Sequence, residues 1–314
     1  MAASANRTVI FAALAGNAAV AVVKFAAAAF TGSAAMLSEA IHSVVDTGNQ
    51  LLLLYGLRVS KQAPTPQHPF GSGLKLYFWT FVVALMIFGL GAVVSIWHGV
   101  EKILHPTPIE NAWVNYLVLS AGIVFEGVVW GVALRAFNRQ RGGRPWIKSV
   151  RASKDPTVFT VLFEDSAALL GLIVAFIGVA ATQLTGLLVI DGIASVAIGA
   201  ILAVTAIFLA AESYSLLAGE SVDPDVRRSI IAIASAQPGV ERVNECLTMH
   251  FGPEDVLVAL SLDFQNDLLA GQVEETVTRI ERSLKSTHPE ARRIFIEAQA
   301  FDAHIRAQAL TQET

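Results

Sequence analysis

Long apolar stretches recur along the first two thirds of the chain. A membrane-spanning helix needs roughly 20 mostly apolar residues, and six stretches are long enough. These predicted spans cover residues 8–30, 34–57, 74–100, 112–137, 158–184 and 187–209. We therefore expect residues 1–209 to form an α-helical membrane domain of six transmembrane helices.

The pattern changes in residues 210–314. Asp223 followed by Pro224 is typical of a helix start and predicts a helix to about residue 236. Alternating apolar positions predict strands over 240–250 and 256–264. An amphipathic helix over 268–287 and a strand over 293–299 complete the order α-β-β-α-β, which predicts a small α+β domain.

Charge separates the same two regions. The chain is 54 % hydrophobic and 15 % charged, but its first 209 residues are only about 11 % charged, with a net charge of +4. Residues 210–314 are about 25 % charged, as in an ordinary soluble domain, with a net charge of −8. This division excludes a single soluble globule and a disordered chain. It also excludes nucleic acid as a partner, since nucleic-acid binders carry clustered excess base.

Lys and Arg residues in the loops predict the orientation in the bilayer. They concentrate after the second span and, more strongly, after the fourth, whereas the other loops contain only Lys102. We expect those two loops, both termini and the tail to be cytoplasmic. About seven residues precede the first span, which favours a bacterial inner membrane over an organelle that requires a targeting segment.

Charged residues inside the spans are the strongest functional signal, because a charge at mid-bilayer costs from about 2.5 kcal/mol upward. The acids within the spans are Glu39, Asp46, Glu126, Glu164 and Asp165, and His42 joins them. Asp191 lies near the outer start of the sixth span. Lys24 is roughly 9 Å from the outer end of the first span, so we expect its side chain to extend outward.

His42 and Asp46 are four residues apart and therefore share a helix face, as metal ligands one turn apart do. Asp46 lies roughly 16 Å above the cytoplasmic end of its span, and Asp165 lies roughly 14 Å above the start of the fifth. The two acids are thus predicted at one level near the midplane. We predict a metal site formed by His42, Asp46 and Asp165, with Glu164 as a fourth ligand, a proton carrier or an outer acid.

Mixed nitrogen and oxygen ligands suit Zn²⁺, with Mn²⁺, Fe²⁺ or Co²⁺ as alternatives. Metal release leaves acids that attract protons, so one site gives metal/proton antiport by competition. We expect Zn²⁺ as transported substrate and no prosthetic group. A membrane metalloprotease is disfavoured because the chain has no His-Glu-x-x-His helix. A membrane scaffold that does not transport is the other class considered.

Six spans, His42-xxx-Asp46, an acid pair in span 5 and an α/β tail together resemble the cation diffusion facilitator family. Residues 38–50 and 163–168 are especially similar to the branch of the mitochondrial-type zinc transporter nine. The resemblance covers nearly the whole chain. It implies export of zinc or a related metal from the cytoplasm in exchange for protons, by a homodimer formed through the cytoplasmic domain.

The chain departs from the family pattern in ligand positions. The family places a ligand four residues before the acid of span 5, where this chain has Val161. In the loop after span 2, Ser72 and Thr65 replace a His and an Asp of the pattern, so we expect no second metal site there. The tail also lacks family ligand positions, and we expect it to bind no metal.

Overall fold

The computed structural model describes residues 18–140 and 154–312, which divide into two compact units. The first lies within Met1–Arg58 and Tyr77–Tyr214, and the second within Val59–Leu76 and Ser215–Thr314. The predicted domain boundary at residue 209 falls inside a helix that continues to Leu217. The segment Val59–Leu76, predicted as part of the membrane domain, belongs instead to the second unit.

Within the described residues, the apolar stretches form the helices α1 (Ala18–Thr31), α2 (Ala34–Ser60), α3 (Leu74–Leu104), α4 (Ala112–Gln140), α5 (Pro156–Thr185) and α6 (Val189–Leu217). Among the described residues, four are long and apolar enough to cross a membrane, namely α3 to α6. The first part of the predicted span 8–30 lies outside the described residues. Several membrane-crossing helices are thus present, while six spans stay a prediction.

Helix α3 contains an irregularity that the hydropathy pattern does not predict. It is α-helical over Leu74–Met86 and Val94–Leu104, and π-helical over Ile87–Val93 between them. Such segments often occur at functional sites. The π-helical segment contains two glycines, Gly89 and Gly91, which lower its helical propensity.

Small residues let α3 and α6 cross closely. A Cβ added to Gly99 would lie 2.7 Å from the backbone oxygen of Gly192, and one added to Gly199 would lie 2.6 Å from the side chain of Ile96. Ser195 of α6 also donates a hydrogen bond of 2.8 Å to the backbone oxygen of Ser95. Small-residue contacts of this kind are typical of membrane helix pairs.

The tail contains α7 (Pro224–Ser235), β1 (Val240–Gly252), β2 (Asp255–Phe264), α8 (Ala270–Thr287), β3 (Arg293–Ala298) and α9 (Phe301–Gln312). The strands form one sheet in the order β1-β2-β3, with β1 and β2 antiparallel and β2 and β3 parallel. The predicted α-β-β-α-β order is confirmed. Helix α9 was not predicted.

One face of the sheet forms the core of the tail. Leu260 of β2 is buried in the same cluster as Ile230 of α7 and Ile280 of α8. The single cysteine, Cys246, is buried there as well, and its burial raises the pKa of the thiol. A raised pKa keeps the thiol protonated at neutral pH, which fits a packing role.

The segment Val59–Leu76 packs on the tail sheet through aromatic rings and one arginine. Phe70 stacks on Phe251 with ring centroids 5.1 Å apart. The Arg293 guanidinium donates a 2.8 Å hydrogen bond to the backbone oxygen of Phe70 and forms an ion pair with Asp255. Gly73 is required here, because a Cβ at this position would lie 2.0 Å from the backbone oxygen of Phe251.

We expect Arg293→Ala to release this segment. A hydrogen bond to a charged group contributes about 1.5–3 kcal/mol, so amide hydrogen exchange in residues 62–73 should become at least about tenfold faster. The control is Arg292→Ala, since that exposed guanidinium only approaches Glu254 at 3.9 Å. Equal exchange in the two variants would contradict this role for Arg293.

Candidate metal-transport site

Helix α2 presents His42 and Asp46 on one face, as their spacing predicts. The His42 Nδ1 lies 3.4 Å from the Asp46 Oδ1. His42 is buried, and neither of its ring nitrogens has a hydrogen-bond partner among the described residues. Buried polar atoms normally have partners, so this imidazole is free to bind a ligand.

Helix α5 contributes Glu164 to the same place. Its Oε1 accepts a hydrogen bond of 2.6 Å from the Asn49 Nδ2, and its carboxyl lies beside that of Asp46. Two neighbouring carboxylates repel each other when both are ionised. This pair therefore attracts a proton or a cation.

Asp165 follows Glu164 on α5. Its carboxyl is half-buried, its Oδ2 has no hydrogen-bond partner among the described residues, and it interacts electrostatically with Glu164 and Glu126. Glu164 is thus the α5 carboxyl beside Asp46, and Asp165 as a metal ligand stays a prediction. Across residues 18–140 and 154–312, no three His, Cys, Asp or Glu side chains are grouped closely enough to hold a metal ion.

Asn49 is a site residue that the sequence reasoning missed. It is fully buried one turn after Asp46, and its Oδ1 has no hydrogen-bond partner among the described residues. The i, i+3 spacing from Asp46 was the available signal. A neutral amide in a predicted span is a weaker functional signal than a charged side chain, although an amide oxygen can bind a cation.

Lys24 does not extend outward, which corrects the sequence-based expectation. Its side chain is buried, and its Nζ lies 3.2 Å from the Glu39 Oε2 and 2.8 Å from the Ser43 Oγ. The physical reason is the negative charge of Glu39, since a buried carboxylate and a buried ammonium each need the other. Helix α1 is therefore joined to α2 by an ion pair.

Asp191 is explained by helix capping. Its two carboxylate oxygens accept hydrogen bonds of 2.6 Å from the Ser33 Oγ and from the backbone N–H of Ala34. Both donors lie at the start of α2, where backbone N–H groups lack partners within the helix and favour a negative charge. Asp191 of α6 thus caps α2.

The histidines of α3 lie away from these acids. His98 and His105 line a cavity of about 390 Å³ together with Glu101, Lys102 and residues of α1. The His98 Nδ1 lies 3.6 Å from the Glu101 Oε2, and both side chains are accessible. Both histidines thus lie where solvent reaches them.

Comparison with known proteins decides the family. A model described as the cation efflux transmembrane domain matches residues 10–218, which is about two thirds of the chain. The chain belongs to the cation efflux family. This agrees with the resemblance that residues 38–50 and 163–168 carry, and it places the chain among transporters rather than enzymes.

Named relatives of this cation efflux protein include the proton-coupled zinc antiporter SLC30A9, mitochondrial, of Mus musculus and of Homo sapiens. Each is 31 % identical over 313 residues, covering 87 % of this chain and 55 % of the relative. The cation-efflux pump FieF of Escherichia fergusonii is 25 % identical over 257 residues, covering 80 % of each chain. The chain spans about half the length of the SLC30A9 relatives.

A solved MamM C-terminal domain in a nickel form covers 25 % of this chain at 17 % identity and a TM-score of 0.24. The description of the tail therefore rests on its own sheet and helices. The relatives at 31 % identity are mitochondrial, so the comparisons support an integral membrane transporter but do not support the predicted bacterial inner membrane.

We expect Asp191→Ala to destabilise the membrane unit without a direct effect on the acids of α2 and α5. Losing charge-assisted hydrogen bonds at a helix start costs about 1.5–3 kcal/mol, which lowers the thermal unfolding midpoint in detergent by several degrees, about 3–10 °C. Glu110→Gln, at an exposed position, is the control. An unchanged midpoint for Asp191→Ala would show that the cap contributes nothing.

Proposed function

We propose that this cation efflux protein is a divalent metal/proton antiporter whose substrate is Zn²⁺. The observation that carries the proposal is the buried His42 imidazole, whose ring nitrogens have no hydrogen-bond partner among the described residues and whose Nδ1 lies 3.4 Å from the Asp46 Oδ1. Glu164 adds a second carboxyl beside that of Asp46. One nitrogen and several carboxylate oxygens are ligands that suit Zn²⁺. The SLC30A9 relatives are named proton-coupled zinc antiporters, which supports the same substrate and counter-ion.

Competition between a proton and the metal supplies the coupling. When Zn²⁺ enters, it binds the carboxylate oxygens of Asp46 and Glu164 and displaces a proton from this pair. When the metal leaves, the two neighbouring carboxylates repel each other and take up a proton again. Asp165 is proposed as a third carboxylate, which approaches the metal through a shift of α5, and Asn49 as a supporting amide.

The proposed arrangement in the bilayer keeps six spans, with α1 and α2 completing the set of α3 to α6. The loops after spans 2 and 4, the termini and the tail lie on the cytoplasmic side, where the Lys and Arg residues concentrate. Asp46 and Glu164 then lie near the midplane. A midplane site opened first to one side and then to the other is how such transporters move a substrate.

A homodimer through the tail is also proposed. On the sheet face opposite the core, Leu247 pairs with Ala259, which pairs with Phe295. Leu247 and Phe295 are 57 % and 58 % exposed, so they form an apolar row on the surface. Exposed apolar rows of this kind mark interaction surfaces, and a second copy of the chain is the proposed partner.

We expect Asp46→Asn to lower zinc transport by at least about a hundredfold, because the site loses a ligand that no neighbour replaces. The assay uses the full chain in liposomes with an internal zinc dye and a pH gradient. His42→Ala and Glu164→Gln should reduce transport as well, and Glu110→Gln is the control. Transport by Asp46→Asn at the wild-type rate would contradict the antiporter proposal.

The same liposomes distinguish the alternative substrates. Zn²⁺ should move faster than Mn²⁺, Fe²⁺ or Co²⁺, because tetrahedral nitrogen and oxygen coordination favours zinc. Collapse of the pH gradient should slow uptake. A wild-type preference for Mn²⁺ would shift the proposal to that metal, and transport insensitive to the pH gradient would contradict the exchange with protons.

The dimer proposal is tested by Phe295→Glu. A charge at one end of the apolar row should convert the detergent-solubilised full chain from dimer to monomer, as measured by light scattering. Leu269→Glu is the control, because that side chain is 73 % exposed but lies at the start of α8. A dimer that persists in Phe295→Glu would place the interface elsewhere.

A further inference from the structure

The ammonium group of Lys24 is buried in the interior of the first unit, close to the acids of α2. Lys24 is 1 % exposed and Glu39 is 0 % exposed. The Lys24 Nζ donates hydrogen bonds to the Glu39 Oε2 at 3.2 Å and to the Ser43 Oγ at 2.8 Å. Lysine is almost never fully buried unless it is paired, so Glu39 and Ser43 hold this ammonium in place.

One oxygen of the Glu39 carboxylate, Oε2, accepts a hydrogen bond from the Lys24 ammonium. The other oxygen, Oε1, has no hydrogen-bond partner in the described part of the chain. Oε1 lies against Gly171 of α5, where an added Cβ would be only 2.3 Å from it. Glu39 is thus packed between α2 and α5, in contact with Lys24 and close to the backbone of Gly171.

This ion pair lies beside the proposed metal ligands. Glu39 is three residues before His42 and therefore lies on the same helix face, and Ser43 is the next residue after His42. The positive charge of Lys24 acts electrostatically on both His42 and Asp46. Without Lys24, the Glu39 carboxylate would be free to bind a metal one turn before the His42 imidazole.

We propose that Lys24 is a positioning residue that sets the zinc affinity of the transport site, by occupying Glu39 and by placing a fixed positive charge beside His42 and Asp46. The inference rests on the proposed function. A transporter must bind its ion firmly enough to load and weakly enough to release it. An unoccupied Glu39 would add negative charge and a further ligand, which would hold Zn²⁺ too tightly for turnover.

Removing one charge of the Lys24–Glu39 pair should change the Kd for Zn²⁺ in the opposite direction from removing the other. Lys24→Met removes the ammonium and frees Glu39, so the Kd for Zn²⁺ should fall by about tenfold or more, and kcat should fall with it. Glu39→Gln leaves the ammonium unbalanced, so the Kd should rise by about tenfold or more. The double variant Lys24→Met/Glu39→Gln should return the Kd to within about threefold of wild type. Lys24→Arg keeps the charge and should retain the wild-type Kd.

A merely structural ion pair gives a different pattern. Breaking a buried pair from either side destabilises the protein, and damage of that kind weakens binding in both single variants. Tighter zinc binding in Lys24→Met is therefore a result that loss of structure does not produce. Lys102→Met is the matched control, because Lys102 is a buried lysine whose Nζ bonds to the Gly32 backbone oxygen at 2.6 Å, away from the acids of α2.

The experiment measures equilibrium binding of Zn²⁺ to the purified full chain in detergent, together with zinc uptake by the same variants in liposomes. The expected result is a lower Kd in Lys24→Met, a higher Kd in Glu39→Gln and recovery in the double variant, with Lys102→Met unchanged. If Lys24→Met does not fold, two results still test the proposal. These are the rise of the Kd for Zn²⁺ in Glu39→Gln and its return toward the wild-type value in the double variant.

Two failures are distinguishable. If the wild-type chain binds and transports Zn²⁺ but the Kd is the same in both single variants, or rises in both, the role of Lys24 is overturned and the proposed function stands. If the wild-type chain neither binds nor transports a divalent metal, the proposed function is overturned, and this inference with it.

Discussion

A carboxylate inside the first unit needs a partner that balances its charge or donates hydrogen bonds to it, and this need determines several helix contacts. Asp191 is satisfied by the Ser33 hydroxyl and the N–H groups at the start of α2, and Glu39 is satisfied by the Lys24 ammonium. Both partners are covalent parts of the chain and cannot leave. Asp46 and Glu164 instead lie beside each other, and a proton or a metal ion can balance their charges. This exchangeable pair is therefore the one that we propose for transport.

The fixed pairs and the exchangeable pair depend on each other. Asp191 and Lys24 both attach to α2, one at its start and one at its middle, so they hold in place the helix that carries His42 and Asp46. The ion pair also prevents Glu39 from competing for the cargo, which keeps binding reversible.

Periodicity predicted the apolar helices, the order of elements in the tail and the shared face of His42 and Asp46, because these features depend on residues close in sequence. It did not predict the Lys24–Glu39 pair, the capping of α2 by Asp191 or the packing of Phe70 on Phe251, because these contacts join distant parts of the chain. The rotation of α5 that brings Glu164, and not Asp165, to Asp46 depends on helix packing, which depth along a span does not determine. Helix α9 and Asn49 were missed because neither carries a strong charge or hydropathy pattern.

X-ray absorption at the zinc edge of the metal-loaded full chain is the sharpest test of His42 as a metal ligand. We expect one imidazole nitrogen with carboxylate or amide oxygens at about 2.0–2.2 Å and no coordinating sulfur. We also expect the imidazole scattering to disappear in His42→Ala. Imidazole scattering that persists in that variant, or coordination by sulfur, would show that the metal binds elsewhere and would overturn the proposed site.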